Sequence, residues 1–190
     1  ARAQAGPVGL LWIDAHLDSH TPESSYSGAI HGMPLACLLG RGDKRLLNIG
    51  LEGVQLSAAH TVVLGARSYE PEELEFLQHQ QVRIIDSEEI DRRGFADCLD
   101  EAIAIIAGAP AGFGVTLDLD VIDPRLAPGV GSPEPDGLVI PDVVEAMRRI
   151  GGMAGFKALE IVEYNPDRDR HGTTAGLISD LIGELLPLGN

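Results

Sequence analysis

The sequence predicts an α/β domain, a three-layer α/β/α arrangement around a parallel sheet. Short apolar runs bounded by turn residues alternate with stretches of helical periodicity, the pattern of strand–helix–strand units. The apolar runs are near-continuous, as in strands buried on both faces. At 190 residues, 44% hydrophobic and 23% charged, the chain is one domain's worth of sequence, long enough to bury a substantial core.

Strands are expected at 8–13 (Val-Gly-Leu-Leu-Trp-Ile), 61–65, 82–85, 113–118 and 157–162. Pro71 opens a helix over 71–80, with Glu72, Glu73 and Glu75 near the positive end of its dipole. Residues 94–107 carry Phe95, Leu99, Ile103 and Ile106 at helical spacing. Pro141 opens 141–150, with Val143, Val144, Met147 and Ile150 on one face, and 172–186 repeats Leu177, Leu181 and Leu185 every four residues. Residues 1–7 read as the tail of a helix entering a turn, so the single domain over 1–190 reads as truncated at its N-terminus. The two long irregular stretches, 19–32 and 121–140, each follow a group of acidic residues, and long loops after strands are where functional groups are mounted.

A formal net charge of −15 argues against a nucleic-acid partner, because no basic patch exists to displace phosphate counterions. No signal-peptide pattern is visible, and no apolar stretch approaches the ~20 residues that span a membrane. Cys37 and Cys98 lie in apolar segments without metal-like spacing; they read as reduced, buried thiols of a cytoplasmic protein.

The chemistry concentrates after the first and fourth strands. Asp14-Ala15-His16-Leu17-Asp18 follows one and Asp118-Leu119-Asp120 closes the other. A strand repeats every two residues, which places Asp14, His16 and Asp18 on one face, and Asp118 and Asp120 likewise. Both motifs lie at strand carboxyl ends, where ligand sites of parallel sheets gather. Four carboxylates and an imidazole brought together repel unless a cation sits among them. Mostly oxygen donors with one nitrogen suit a hard or borderline ion such as Mn²⁺, and the donors suffice for two ions. The loop from Ser19 to Gly32 adds hydroxyls and two histidines, while prolines stiffen the one from Val121 to Pro135.

Four motifs carry a family resemblance: Asp-Ala-His-Leu-Asp (14–18), Ser-Gly-Ala-Ile-His-Gly (27–32), Asp-Leu-Asp-Val-Ile-Asp-Pro (118–124) and Glu-Ile-Val-Glu-Tyr-Asn-Pro (160–166). In this order they resemble the ureohydrolases, the arginase and agmatinase superfamily, and the resemblance runs through essentially the whole chain. It implies a dimanganese hydrolase that splits a guanidino group into urea and an amine. The loop between Asp18 and His31 is similar to the longer one of arginases, which implies L-arginine as substrate and L-ornithine as product; agmatine and guanidinobutyrate are the alternatives. By resemblance Asp14, His16, Asp18, Asp118 and Asp120 bind Mn²⁺, and the two ions lower the pKa of a bridging water to give hydroxide. Asp18 also takes the hydroxide's proton, His31 shuttles protons, and Glu163 pairs with the guanidinium near Ser132. Ser25, Ser27 and His20 belong to the substrate-binding loop, with Ser27 and His20 matched to the α-carboxylate, and Glu70 matches the group that takes the α-amine. Most arginases carry Asn where His20 stands and Asp where Glu70 stands.

Family members also carry Gly-Gly-Asp-His on an earlier strand, whose His is a sixth ligand; this sequence has no such motif. Their sheet has eight strands, of which this chain matches the last five. These should form a contiguous block with 157–162 at an open edge. The family often forms trimers or hexamers, so a homo-oligomer is expected, and Arg168-Asp169-Arg170 reads as a solvated charge run or a subunit contact. Glu160, His60, His79 and His171 read as structural. An inactive fragment or structural subunit stays open as an alternative. A zinc amide hydrolase of the histone-deacetylase type is disfavoured, because no His-His pair exists.

Overall fold

The computed structural model describes residues 6–49 and 56–186. In chain order the elements are β1 (Val8–Ile13), α1 (Pro34–Leu38), α2 (Lys44–Leu47), β2 (Leu56–Ala66), α3 (Pro71–His79), β3 (Arg83–Asp86), α4 (Ser87–Arg93), α5 (Phe95–Ala107), β4 (Phe113–Asp118), α6 (Ile140–Gly151), β5 (Phe156–Val162) and α7 (Thr173–Leu185). Two 3-10 turns, Ile30–Gly32 and Leu119–Val121, lie in the loops after β1 and β4.

The five strands form one parallel sheet in the order β3-β2-β1-β4-β5. β1 is buried along its whole length. Its Leu11 and Ile13 pack with α4 to α7 through residues such as Phe95, Leu99, Ile106, Met147 and Leu181. Its Leu10 and Trp12 face the other way, onto Leu35 of α1 and Phe76 and Leu77 of α3. A chain segment apolar on both sides in this manner is the three-layer expectation met in full. β5 closes the contiguous block, paired among the described residues with β4 alone, and Lys157, Ala158 and Glu160 are exposed. Among the described residues no helix is long and apolar enough to cross a membrane.

The strand register levels the ends that carry the acidic motifs. Ile13 lies opposite Leu64 on one side and Leu117 on the other, and Asp118 lies opposite Val162. Asp14, Gly65, Asp118 and Glu163 therefore leave adjacent strands at one rim of the sheet.

The longer helices agree with the sequence expectation to within a residue at each end. Three shorter ones were not foreseen. α4 has one buried apolar residue, Ile90, so it carries no periodicity; the Asp86 side chain starts it by accepting the Glu89 N–H at 2.8 Å. β2 begins at Leu56 rather than at 61. The proposed helix tail at the start falls on residues 1–5, outside the described residues.

Gly65 forms a bulge at the end of β2, where pairing with β3 shifts between Leu64 and Ala66. Its φ of 102° favours glycine, and a Cβ there would stand 2.6 Å from Val121 Cγ2 and 3.4 Å from the Asp14 carbonyl oxygen. Gly65→Ala should therefore force apart the two turns that carry Asp14 and Asp120, with a loss of about 1–3 kcal/mol in urea unfolding. An unfolding midpoint equal to that of the parent would show that the close approach is not needed.

Candidate metal centre and substrate cleft

β1 ends at Ile13 and β4 at Asp118, so neither acidic motif continues as a strand and the period-two alignment does not occur. Instead each leading aspartate folds its own motif. Asp14 Oδ1 accepts the His16 backbone N–H at 2.7 Å, and Asp118 Oδ1 accepts that of Asp120 at 2.9 Å. Such a bond competes with the strand ladder and turns the chain. Asp120 sits in a 3-10 turn, and Asp18 adopts a left-handed φ of 46°.

The turns nonetheless converge. Ligand atoms of Asp14, His16 and Asp120 lie within 4.8 Å of one another. His16 Nδ1 is 3.2 Å from Asp120 Oδ2 and 3.4 Å from Asp14 Oδ1. Asp18 and Asp118 line the same cleft, which has a volume of about 180 Å³, outside this tightest group. Asp14, Asp118 and Asp120 are 0%, 3% and 1% exposed. Beneath them Trp12 Nε1 donates to Asp14 Oδ2 at 2.8 Å.

Burial, followed by the charge of Asp14, pushes the Asp18 carboxyl up to about 9. Burial and then the charges of Asp14 and Asp120 push Asp118 up to about 10. Burial also raises Asp14. Burial alone would lower His16, but its hydrogen bonds to Asp120 and Asp14 outweigh this and raise it to about 11. Asp18 and Asp118 thus hold protons at neutral pH that a cation can replace. Asp120 Oδ1, fully buried, has no hydrogen-bond partner among the described residues. An acceptor left bare in this way costs the desolvation of the group unless a cation meets it. The donor set fits a divalent ion.

The opposite side of the cleft belongs to the 19–32 loop and α3. Ser25 Oγ accepts from the Gly28 N–H at 3.0 Å and Ser27 Oγ from the Ala29 N–H at 3.1 Å, which leaves both hydroxyl protons to donate outward. His31 is exposed at the rim. Glu163 follows β5 with a φ of 63°, and Ser132 stands in the same lining. A Cβ on Gly131 would lie 3.1 Å from Glu163 Oε2, so the glycine makes room for that carboxylate.

His20 Nε2 lies 3.1 Å from Glu70 Oε2 and 3.5 Å from Glu73 Oε2. All of the expected site residues line the cleft except Asp14, which lies under it. Glu73 is the addition. Its place in the first turn of α3 marks it only as a helix-dipole acid, but it is 3% exposed and accepts from the Ser19 N–H at 3.0 Å and the Glu70 N–H at 3.1 Å. Its spacing from Glu70 is that of a capping box, the one signal that could have singled it out. Burial raises Glu73, whereas a bond with Glu73 and, against burial, the His20 imidazole lower Glu70.

The chain matches the Arginase family over residues 1–187. It is 38% identical over 178 residues to the arginase of Bacillus caldovelox, covering 94% of this chain and 60% of that protein. The solved arginase of Bacillus caldovelox superposes with a TM-score of 0.94 at 35% identity, covering 100% of this chain and 63% of that one. The solved arginase of Bacillus subtilis gives 0.93 at 32% identity, covering 100% and 64%. The chain thus spans about 60% of the length of the curated relatives it matches.

Without a divalent ion, pH should act in one direction. The folded chain holds the Asp18 proton between 3.8 and about 9 and the His16 proton between 6.5 and about 11, where the unfolded chain releases them. That stabilisation is complete below the ordinary values and is lost as pH climbs through the raised ones. Thermal melts in chelator should show a midpoint falling from about pH 5 to about pH 9, with added divalent ion removing the fall. A midpoint in chelator that climbs over this range contradicts the electrostatics.

Proposed function

The chain belongs to the Arginase family, and on that premise we propose that it hydrolyses the guanidino group of L-arginine to urea and L-ornithine, with two Mn²⁺ held by Asp14, His16, Asp18, Asp118 and Asp120. The observation that carries the reading is the bare, buried Asp120 Oδ1 in a cluster of acids with one imidazole. When bound, the ions supply Lewis acidity and lower the pKa of water.

The remaining roles follow from the chain's own groups. The Glu163 carboxylate receives the planar guanidinium fork, which two parallel N–H donors hold in plane. Asp18, at the cleft wall, accepts a proton at its carboxylate oxygen as water adds to the guanidinium carbon. His31, at the rim, relays a proton toward the leaving amine. At the far end Ser25 and Ser27 donate their free hydroxyl protons to the α-carboxylate, joined by His20. Glu70 accepts from the α-ammonium, supported by Glu73. Assembly into a homotrimer or homohexamer and a cytoplasmic location belong to the same proposal.

A second reading, metal binding without turnover, is supported by the tightest donor group at Asp120, which among the described residues gathers Asp14 and His16 alone. Urea release separates the two. The full chain with Mn²⁺ should produce urea from L-arginine in preference to agmatine or guanidinobutyrate, and chelator should abolish it. Glu163→Gln should lower kcat/KM by about 100-fold, the loss of a charged bidentate pair. Urea from agmatine alone moves the substrate, and bound Mn²⁺ without urea supports the second reading.

A further inference from the structure

Arg67 follows β2 and is half-buried behind the acidic cluster. Every hydrogen bond its guanidinium makes among the described residues ends on a backbone carbonyl. Nε donates to Pro135 at 2.8 Å. Nη1 donates to Val121 at 3.1 Å and to Gly65 at 3.5 Å, and Nη2 donates to Asp120 and Glu134, both at 2.8 Å. The main chain at the same place reaches the other acidic turn, since the N–H groups of Arg67 and Ser68 donate to the Ala15 carbonyl at 2.8 and 3.0 Å.

One residue therefore joins three segments: the end of β2, the turn that carries Asp14 and His16, and both ends of the stretch from Asp120 to Pro135. Carbonyls of an irregular segment have no ladder partner and need donors from elsewhere. The peptide groups on the two sides of Asp120 are both tied, its N–H by Asp118 Oδ1 and its carbonyl by Arg67. With both fixed, the direction of the Asp120 Cα–Cβ bond, from which the carboxylate extends, is fixed too. Lysine could not substitute, because its donors radiate from a single point rather than from a planar fork.

We propose that Arg67 is a positioning residue for the metal centre, holding the Asp120 turn and the Glu134–Pro135 end of its loop against the Asp14–His16 turn. This rests on the metal reading above. Nothing in it requires the chain to turn over substrate.

The test reads metal binding directly. Trp12 is the single tryptophan of the chain and donates to Asp14, so paramagnetic Mn²⁺ bound there quenches its fluorescence. Titration of the full parent chain should give a saturable quench. Arg67→Lys, which keeps the charge and loses the fan of bonds, should raise the half-saturating Mn²⁺ concentration about 10-fold, and Arg67→Gln by more. The gain in melting midpoint on adding Mn²⁺ should shrink in the same order. Where urea is released, kcat should fall while KM changes less than about twofold. Arg125→Lys, at an exposed guanidinium that pairs with Asp123 on the same loop, should leave the titration unchanged.

The parent alone supplies a further readout. Nitrogen-resolved exchange should show the Arg67 Nε–H exchanging about tenfold or more slowly than that of the exposed Arg45. This holds even if a variant does not fold. Arg67→Lys with parental or tighter Mn²⁺ affinity overturns the inference, as does a rapidly exchanging Nε–H. A parent that shows no Mn²⁺ quench overturns the metal reading and this inference with it.

Discussion

Asp14, Asp118 and Asp120 lie almost wholly out of contact with water. A carboxylate charge so placed is costly, by several kcal/mol per ion, unless a proton or a cation accompanies it. Trp12, the His16 and Asp120 backbone N–H groups and the His16 ring satisfy part of the demand. Asp120 Oδ1 stays bare. The surrounding structure keeps this unfavourable arrangement in place. The parallel sheet levels the ends of β1 and β4, each leading aspartate turns its own chain, and Gly65 lets Val121 come close.

The cleft has two chemically distinct ends. One is the acidic group with His16. The other is a serine-rich loop facing His20, Glu70 and Glu73. A ligand lying between them meets hydroxyl donors and carboxylate acceptors at one end and a cation-seeking cluster at the other. Glu163 stands in the lining beside Gly131. The two halves are also mechanically linked, because Glu73 holds the Ser19 N–H from α3 while residue 67 holds the Ala15 carbonyl.

Much of this was legible in the sequence, for identifiable reasons. β1 and β4 are continuous apolar runs, and α5, α6 and α7 bury stripes at helical spacing, so hydrophobic period alone finds them. The acidic motifs were visible as residue types, yet the geometry assumed for them was wrong. An aspartate that can bond the N–H two residues on will leave a strand, and spacing does not record that choice. α4 escaped notice because an aspartate cap and charged pairs hold it rather than an apolar face. Arg67 was silent, and Glu73 showed only as a capping residue, for a deeper reason. Their partners, Ser19 and the carbonyls of Asp120 to Pro135, lie far along the chain, and only the tertiary fold brings them together.

β5 leaves one side of the sheet unpaired among the described residues, and the curated relatives are longer than this chain. Among the described residues the cluster of Asp14, His16 and Asp120 comes from the turns after β1 and β4, so the proposed ion site can be tested on these residues. Anomalous diffraction from crystals of the chain grown with Mn²⁺ addresses that capacity most directly. The account predicts a manganese peak about 2–2.5 Å from oxygens of Asp14 and Asp120 and from His16 Nδ1. A map without such a peak, with Asp120 Oδ1 instead hydrogen-bonded to a protein donor or an ordered water, would contradict it.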